Sequence, residues 1–402
     1  MEGEIRLRLS SRAQRLLPSA TLTVVSKAKA LKREGKPVIS FGAGEPDFNS
    51  PDPALKYALE AMQQGKTHYT PGTGIPELKE AVSRYYSERF SLEYNPEQVL
   101  IGAGAKPLLY EALGCLVEPG DEVVLFTPAW VSYLEQIRLF GGEALSVDTS
   151  DTRYIPDPSK FRSMITPRTK CMILNTPNNP TGAVYDMETL KGLAEIAIEK
   201  DMTIIFDEIY ERLVYGQARH YQILETCPEA RERTLIINGV SKAYAMTGWR
   251  IGYALGPSEL ISKMGAYQGH LTSNPCSIAQ WAALGAIEEA ENDIEYMRGI
   301  FAQRRNLILE LLRPMPLISF EEPQGAFYVW IDIRNVLGRS YNGKVLSDDN
   351  AFCSSLLENR FVAAVPGNAF MSPGHIRISY SNSEDEIREG MKRLSGFLEE
   401  LS

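Results

Sequence analysis

Residues 170–207 read KCMILNTPNNPTGAVYDMETLKGLAEIAIEKDMTIIFD and follow a strand–helix–strand pattern. The runs KCMILN (170–175) and TIIFD (203–207) are strand-like in length and composition. Between them, DMETLKGLAEIAIEKD (186–201) places apolar residues at helical spacing behind Asp186, a residue type that caps helices. Alternation of this kind is typical of a parallel sheet that helices cover on both faces.

The same alternation extends over about residues 99–256, where EVVLFT (122–127) and TLIIN (234–238) add two further strand-like runs. We therefore predict an α/β fold with a mostly parallel sheet sandwiched between helices.

The pattern changes after a long amphipathic helix at 295–315. There follow AFYVWIDI (326–333), FVAAVPG (361–367), HIRISYS (375–381) and a last helix at 383–400.

This α+β order predicts a smaller second domain. We divide the chain into an N-terminal arm with part of the small domain (1–45), a large domain (46–295) and a small C-terminal domain (296–402). The first segment is too short to fold alone, so it joins the small domain or reaches a partner subunit.

Composition points to a small-molecule partner. The net charge is −9, and without a run of five or six Lys/Arg we expect no nucleic-acid or anionic-membrane partner. No apolar run reaches about 18 residues and the N-terminus does not resemble a signal peptide, so we expect no membrane span and a cytoplasmic protein. The five cysteines are scattered, as reduced thiols are, and the four histidines fit no zinc spacing, so no metal site is expected.

Polar segments follow five of the predicted strands at their carboxyl ends. In open α/β sheets, ligands bind at this edge, so we expect the five segments to line one crevice. In chain order they are GAGAKP (102–107), TPAW (127–130), NTPNNPTG (175–182), DEIY (207–210) and NGVSK (238–242).

Three residues in these segments suggest imine chemistry. Lys242 has small and aromatic neighbours, and partial loss of water makes such a lysine a nucleophilic amine suited to Schiff-base formation. An ordinary solvated lysine is the alternative. Asp207 is either a helix cap or a carboxylate that pairs with a protonated pyridine nitrogen. Tyr210, three residues later, lies on the same side of a helical turn and could reach the phenolic oxygen of that ring.

The sequence also contains groups that can bind anions, in the GAGAKP turn and at two arginines. GAGAKP fails the dinucleotide pattern because Pro107 replaces the third glycine, but free N–H groups at such a helix start bind one phosphate. Arg250 and Arg377 both lie in apolar, strand-like sequence, where a buried cation needs an anion. One possibility is that an Asp or Glu of the protein pairs with each arginine. The other is that a ligand supplies the anion, as a phosphate for Arg250 and as an α-carboxylate that Arg377 binds in a bidentate manner.

Seven motifs in this order resemble the class I aminotransferases of the fold-type I, pyridoxal-phosphate (PLP) enzymes. The match covers nearly the whole chain and is most like the Iβ subgroup of bacterial-type aspartate aminotransferases. It implies a large PLP-binding domain and a smaller α+β domain. The motifs are GAGEPDF, HYTPGTGIPELKEAV, TPAWVSY, PNNPTGAVY, DEIYERLVY, SKAYAMTGWRIGY and GHIRISY.

The resemblance assigns cofactor roles to residues of this chain. It implies that Lys242 forms the Schiff base and shuttles the proton, that Asp207 pairs with the ring nitrogen, and that Tyr210 and Asn179 bind the ring oxygen. Trp130 is implied to stack on the ring. The implied phosphate cradle consists of Gly104, Ala105, Lys106, Ser241 and Arg250, with Gly239 standing where many members have a further serine.

The resemblance also implies a homodimer with active sites at the subunit interface, because Tyr69 matches the residue that reaches the neighbouring subunit's phosphate. For substrate, Arg377 and Asn179 match the α-carboxylate clamp, and Gly42 is implied to supply a backbone contact and to close over the site. Trp130 is also implied to contact the substrate. Lys106, helped by Thr21, matches the group that replaces the second-subunit arginine of animal-type enzymes.

These matches predict reversible amino transfer between L-aspartate and 2-oxoglutarate in a ping-pong exchange. Prephenate transamination, with the same Lys106–Thr21 pair, is one alternative. A PLP-dependent lyase on the same fold is another, because the cofactor residues alone do not separate the two reactions. A non-enzymatic PLP module of a transcription regulator would need a DNA-binding domain, for which residues 1–45 are too short.

Overall fold

Fifteen strands and fourteen α-helices are present in the computed structural model, which describes residues 7–402. The first six residues of the predicted N-terminal arm lie outside this range. The strands are β1 (Ile39–Ser40), β2 (Val99–Gly102), β3 (Glu122–Thr127), β4 (Glu143–Asp148), β5 (Thr169–Asn175), β6 (Thr203–Asp207), β7 (Thr234–Gly239), β8 (Gly252–Leu255), β9 (Ser319–Phe320), β10 (Tyr328–Asp332), β11 (Ser340–Tyr341), β12 (Lys344–Val345), β13 (Val362–Ala363), β14 (Val365–Pro366) and β15 (His375–Ser379). The α-helices are α1 (Ser11–Arg15), α2 (Ala20–Arg33), α3 (Asp52–Gln63), α4 (Pro76–Phe90), α5 (Ala105–Leu116), α6 (Val131–Leu139), α7 (Pro158–Arg162), α8 (Met187–Glu199), α9 (Ile223–Thr226), α10 (Ser258–Leu271), α11 (Ser277–Glu289), α12 (Glu291–Leu312), α13 (Asp349–Arg360) and α14 (Glu384–Glu399).

Seven strands form the main sheet, in the order β2-β8-β7-β6-β5-β3-β4. The four pairs from β7 to β4 are parallel, whereas β8 is antiparallel to both of its neighbours. The prediction of a mostly parallel sheet is confirmed. The strand–helix–strand segment also forms as predicted, and the Asp186 side chain caps α8 by accepting a hydrogen bond of 2.7 Å from the Thr189 amide.

Helices cover both faces of this sheet. Alternate residues of β3 belong to different hydrophobic clusters, with Val124 and Phe126 on one face and Val123 and Leu125 on the other. All four side chains are buried. The near-continuous apolar composition of the strands thus follows from burial on two sides.

A second, smaller core lies around the antiparallel sheet β14-β15-β10-β9. It includes Ile39 and Phe41 from the N-terminal segment together with residues between Met297 and Leu398. Helix α12 runs through the predicted boundary at 295/296, with Ile294 in the core of the large sheet and Met297 in the smaller one. FVAAVPG forms two short strands in different sheets, because β13 pairs with β1 and β14 with β15.

Among residues 7–402, no helix combines the length and the apolar character that a membrane crossing needs.

Candidate active site

A cavity of about 380 Å³ opens at the carboxyl edge of the main sheet. Helix α2 contributes residues to its lining, and β10 and β15 of the small sheet contribute Tyr328 and Arg377. Residues from all five polar segments line this cavity, as the sequence predicts: Ala105, Lys106, Trp130, Asn175, Asn179, Asp207, Tyr210, Ser241 and Lys242.

Lys242 lies in the loop after β7 and is partly buried. Its Nζ donates a hydrogen bond to the Gly44 carbonyl and lies 5.9 Å from the ring centres of Tyr210 and Phe327. Loss of water, reinforced by the cations Arg377, Arg250 and Lys106, lowers the pKa of Lys242 to about 8, while nearby Glu45 opposes this shift. A considerable fraction of the amine is therefore neutral near pH 8, unlike that of a solvated surface lysine.

Asp207 is buried at the end of β6. Burial raises the pKa of its carboxyl group to about 6, although hydrogen bonds from the Tyr133 hydroxyl and the Ile209 amide and the charge of Lys242 lower it. The carboxylate is thus held in a dry place and remains charged at neutral pH. It does not act as the N-cap of an α-helix, because the residues after it form turns.

The start of α5 forms a narrow cradle. Its N-cap is Gly104, with φ of 101°, and no side chain caps the helix. L side chains rarely adopt this φ, and a Cβ at Gly104 would also displace the Arg250 guanidinium, so the turn favours glycine. The free N–H groups of the first turn remain available for an anion.

Arg250 differs from the sequence prediction. It is exposed rather than embedded in a strand, because it adopts a left-handed conformation (φ 57°) after the 3₁₀ turn Thr247–Trp249, and β8 begins only at Gly252. Its Nη1 donates to the Thr247 carbonyl at 2.8 Å, and the side chain lines the cavity. The prediction that Arg250 is buried in a strand is wrong, although this residue does line the expected crevice.

Arg377 is buried in β15, as predicted, at 1% exposure. Its Nη1 donates to Asn179 Oδ1 at 2.9 Å and its Nη2 to the Gly42 carbonyl at 3.0 Å. Both partners are neutral oxygens, so the alternative in which an Asp or Glu of the protein pairs with Arg377 is not realised. Burial lowers the pKa of the guanidinium, and within residues 7–402 no carboxylate neutralises its charge.

Lys106 and Thr21 both line this cavity. Lys106 Nζ lies 4.8 Å from the ring centre of Trp130, and burial together with the charge of Arg250 lowers the pKa of this lysine. Thr21 is on the first turn of α2, and its buried Oγ1 has no hydrogen-bond partner among residues 7–402. An anionic or polar ligand group between them would satisfy both side chains.

Comparison with known proteins decides the family. The model of the aminotransferase class I and II family matches residues 36–394. The chain belongs to this family. It is 43% identical to an aspartate aminotransferase of Geobacillus stearothermophilus over 394 residues, which is 98% of this chain and 99% of the relative. It is also 43% identical to an aspartate/prephenate aminotransferase of Cereibacter sphaeroides over 397 residues, covering 98% and 99% of the two chains.

Solved structures agree with this result. An aspartate aminotransferase from Thermus thermophilus with maleate has a TM-score of 0.92 and 40% identity, over 98% of this chain and 100% of the other. An aspartate aminotransferase from Rhizobium meliloti has a TM-score of 0.94 and 37% identity, over 99% and 100%. The predicted fold class and the resemblance to class I aminotransferases are confirmed, and the protein is a transaminase.

Tyr69 does not line the cavity of its own chain in this aminotransferase. Its side chain is 91% exposed, an unusual position for a large aromatic residue. Its role in a second subunit stays a prediction.

Several lining residues were not identified from the sequence. Tyr133 donates to Asp207, Tyr328 contacts Tyr210 and Arg377, and Asn175 Oδ1 accepts from the Asn179 amide at 2.8 Å. Tyr133 lies one helical turn after Trp130 within TPAWVSY, which is a spacing that puts two side chains on one face. No local signal distinguishes Tyr328 from its neighbours in AFYVWIDI.

Proposed function

We propose that this aminotransferase binds pyridoxal 5′-phosphate in the cavity. The buried Asp207 carboxylate suits a protonated ring nitrogen, and the cradle of Gly104, Ala105 and Lys106 with Ser241 and Arg250 suits one phosphate. Trp130 offers an aromatic face, and Tyr210 and Asn179 offer polar groups for the ring oxygen. The turn at Gly104 carries this assignment, since it places helix N–H groups without a side-chain cap next to the Arg250 guanidinium.

When bound, PLP supplies an electron-poor ring that stabilises the negative charge developing at the substrate α-carbon. The Asp207 carboxylate would hold a proton on the ring nitrogen and so keep the ring electron-poor. The Lys242 amine would hold the cofactor, and the same amine would carry the proton that leaves the substrate α-carbon. Its lowered pKa makes this proton transfer accessible near neutral pH.

We infer that the substrates are L-aspartate and 2-oxoglutarate. Five cations line the cavity, of which Lys29 is exposed and Lys242 is proposed to hold the cofactor aldehyde. The other three, Lys106, Arg250 and Arg377, form no ion pair with a carboxylate among residues 7–402. They match three anionic groups: the distal carboxylate of the substrate, the cofactor phosphate and the substrate α-carboxylate. A monocarboxylic substrate would leave Lys106 without an anion in a partly dry place, which is unfavourable.

Prephenate is a second candidate acceptor, because its amino product also carries a carboxylate far from the α-carbon. Relatives named aspartate/prephenate aminotransferases are as similar to this chain as relatives named for aspartate alone. The two activities are compatible in one site. A lyase reaction would use the same cofactor residues but would not depend on a keto acid.

We also propose a homodimer in which Tyr69 of each subunit completes the phosphate site of the other. The 91% exposure of this tyrosine and its absence from its own cavity support this arrangement. A cytoplasmic location belongs to the same proposal.

Stopped-flow absorbance of the holoenzyme tests the substrate proposal. The protein is mixed with L-aspartate in the absence of keto acid, and in parallel with L-alanine, L-phenylalanine and L-arogenate. We expect aspartate to change the cofactor spectrum rapidly, with one oxaloacetate released per site, and alanine to react about 100-fold more slowly. Equally fast reaction with arogenate would add the prephenate activity. An unchanged spectrum with aspartate would contradict the assignment of Lys106.

A further inference from the structure

Tyr328 belongs to the smaller core and lines the cavity. It is on β10 of the small sheet, opposite Ser379 of β15, and its side chain is 1% exposed. Its hydroxyl lies 2.8 Å from the hydroxyl of Tyr210, which follows β6 of the main sheet. This pair of phenols is therefore a direct polar contact between the large and the small sheet.

The ring of Tyr328 makes a second contact with the site. The Arg377 guanidinium lies over this ring, 4.3 Å from its centre. The contact is a cation–π interaction in a desolvated place, where such pairs are strongest. The aromatic face and the neutral oxygens of Asn179 and Gly42 hold the guanidinium without cancelling its charge.

The hydroxyl hydrogens determine which of the two tyrosines can donate the hydrogen bond between them. Only one of the two hydroxyl hydrogens can lie between Tyr210 and Tyr328. If Tyr328 donates, the hydrogen of Tyr210 is free for another acceptor in the cavity. If Tyr210 donates to Tyr328, its only hydroxyl hydrogen is not available to another acceptor. Only the first arrangement lets Tyr210 donate to the ring oxygen of a bound cofactor.

We propose that Tyr328 is a positioning residue that donates to Tyr210 and supports Arg377, so that one side chain links the cofactor contact to the substrate clamp. This inference rests on the proposed PLP-dependent function. Donation by Tyr328 polarises the Tyr210 hydroxyl and makes it a stronger donor, as in other hydrogen-bond chains. The charged groups around the pair are Asp207, Lys242 and Arg377.

Two substitutions separate the roles of the hydroxyl and the ring. Tyr328→Phe removes the hydroxyl and keeps the ring under Arg377, whereas Tyr328→Leu removes both. Tyr380→Phe is the matched control, because Tyr380 is a fully buried phenol of the small domain that donates to the Ala326 carbonyl at 3.1 Å and does not line the cavity.

Each holoenzyme is examined in two measurements. The first is an absorbance titration with pH, which gives the apparent pKa of the cofactor chromophore. The second is the Kd of succinate, a dicarboxylate without an amino group, measured by its effect on the same spectrum. Aspartate turnover of the wild-type protein is recorded separately as the test of the proposed function.

We expect Tyr328→Phe to raise the chromophore pKa by about 0.3–1 unit, because a weaker Tyr210 donor stabilises the deprotonated form less. Its succinate Kd should stay within about 3-fold of wild type. Tyr328→Leu should raise both the chromophore pKa and, by roughly 5–10-fold, the succinate Kd. Tyr380→Phe should change neither quantity.

A Tyr328→Phe protein with an unchanged chromophore pKa and normal aspartate turnover would overturn the link while leaving the proposed function intact. An equal shift in Tyr380→Phe would also overturn it, since the effect would then reflect general loosening of the small domain. A wild-type protein that forms no chromophore with PLP would refute the proposed function and this inference together.

Discussion

The Tyr133 hydroxyl donates a hydrogen bond of 2.6 Å to Asp207 Oδ2, and both side chains are buried. Tyr133 is on α6 and Asp207 ends β6, so the contact joins segments 74 residues apart. Burial raises the pKa of Asp207 to about 6, and the Tyr133 hydrogen bond works against this rise. The tyrosine therefore helps to keep a buried carboxylate ionised.

Tyr133→Phe should move the pH dependence of PLP binding. The wild-type apoprotein should lose affinity as pH falls through about 6, because protonation of Asp207 removes the charge that we propose pairs with the ring nitrogen. Without the Tyr133 hydroxyl, the same loss should occur about 1–2 pH units higher, since a charge-assisted hydrogen bond of this kind contributes about 1.5–3 kcal/mol. Kd values from fluorescence titrations between pH 5 and pH 8.5 measure the two midpoints.

Asp207→Asn is the control for this titration, because an amide has no proton to gain in this range. It should bind PLP weakly at every pH. Coincident midpoints for wild type and Tyr133→Phe would show that the hydroxyl does not influence the carboxylate.

Capture of PLP by the apoprotein should depend on the ionisation of Lys242. Only the neutral amine attacks the aldehyde, and the pKa of this lysine is lowered to about 8. The second-order rate of capture should therefore rise about tenfold per pH unit below pH 8 and level off above it. Stopped-flow absorbance between pH 6 and pH 10 gives this profile, and Lys242→Ala is the control. A rate that still rises between pH 9 and pH 10 would mean that the amine is not desolvated.

Much of the site is predictable from sequence because its residues follow strands whose pattern is local. The runs at 122–127 and 203–207 form strands with those bounds, and the residues after them meet because parallel strands share one edge. Arg250 was placed wrongly because a left-handed residue after a 3₁₀ turn leaves no periodic signal. Tyr133 and Tyr328 were missed because their importance lies in contacts with distant segments.

Lys106→Met should reduce the preference for dicarboxylic substrates. Lys106 has no carboxylate partner among residues 7–402 and faces the cavity beside Trp130, so it is free to bind the distal carboxylate. We expect kcat/KM for aspartate to fall about 10–100-fold, the equivalent of about 1.4–2.8 kcal/mol for a charge-assisted contact. Steady-state kinetics with alanine should change less than about 3-fold. Thr21→Val should produce a smaller loss of the same kind.

Equal losses for aspartate and alanine would contradict this role, because they would indicate damage to the cofactor cradle rather than to substrate selection. A Kd for PLP within about 2-fold of wild type is the check that Lys106→Met leaves the cradle intact.

Mixed dimers should reveal the role of Tyr69. If each tyrosine serves the other subunit, a hybrid of one Tyr69→Ala chain and one Lys242→Ala chain carries both changes in one site and none in the other. Isolated by two different affinity tags, this hybrid should show about half of wild-type activity, although both parent dimers are far less active. Activity equal to the mean of the two parents would place Tyr69 in the site of its own chain.

Glu111 should make the stability of the protein depend on pH. It lies on α5 at 0% exposure, neither of its carboxylate oxygens has a hydrogen-bond partner among residues 7–402, and burial raises its pKa to about 8. The folded protein keeps this proton up to about pH 8, whereas the unfolded chain releases it near the ordinary value of 4.5. The contribution of this group to the free energy of unfolding is therefore largest below pH 4.5 and is lost as pH rises towards 8.

Glu111→Gln removes this titration while keeping the shape of the side chain. Its unfolding free energy, from urea denaturation at one protein concentration, should match that of wild type near pH 5 and exceed it by on the order of 3 kcal/mol at pH 8. Glu118→Gln, at an exposed position just beyond the same helix, should follow the wild-type curve at both pH values. A constant difference between Glu111→Gln and wild type from pH 5 to pH 8 would show that Glu111 ionises normally, because only a raised pKa in the folded state makes the difference grow with pH.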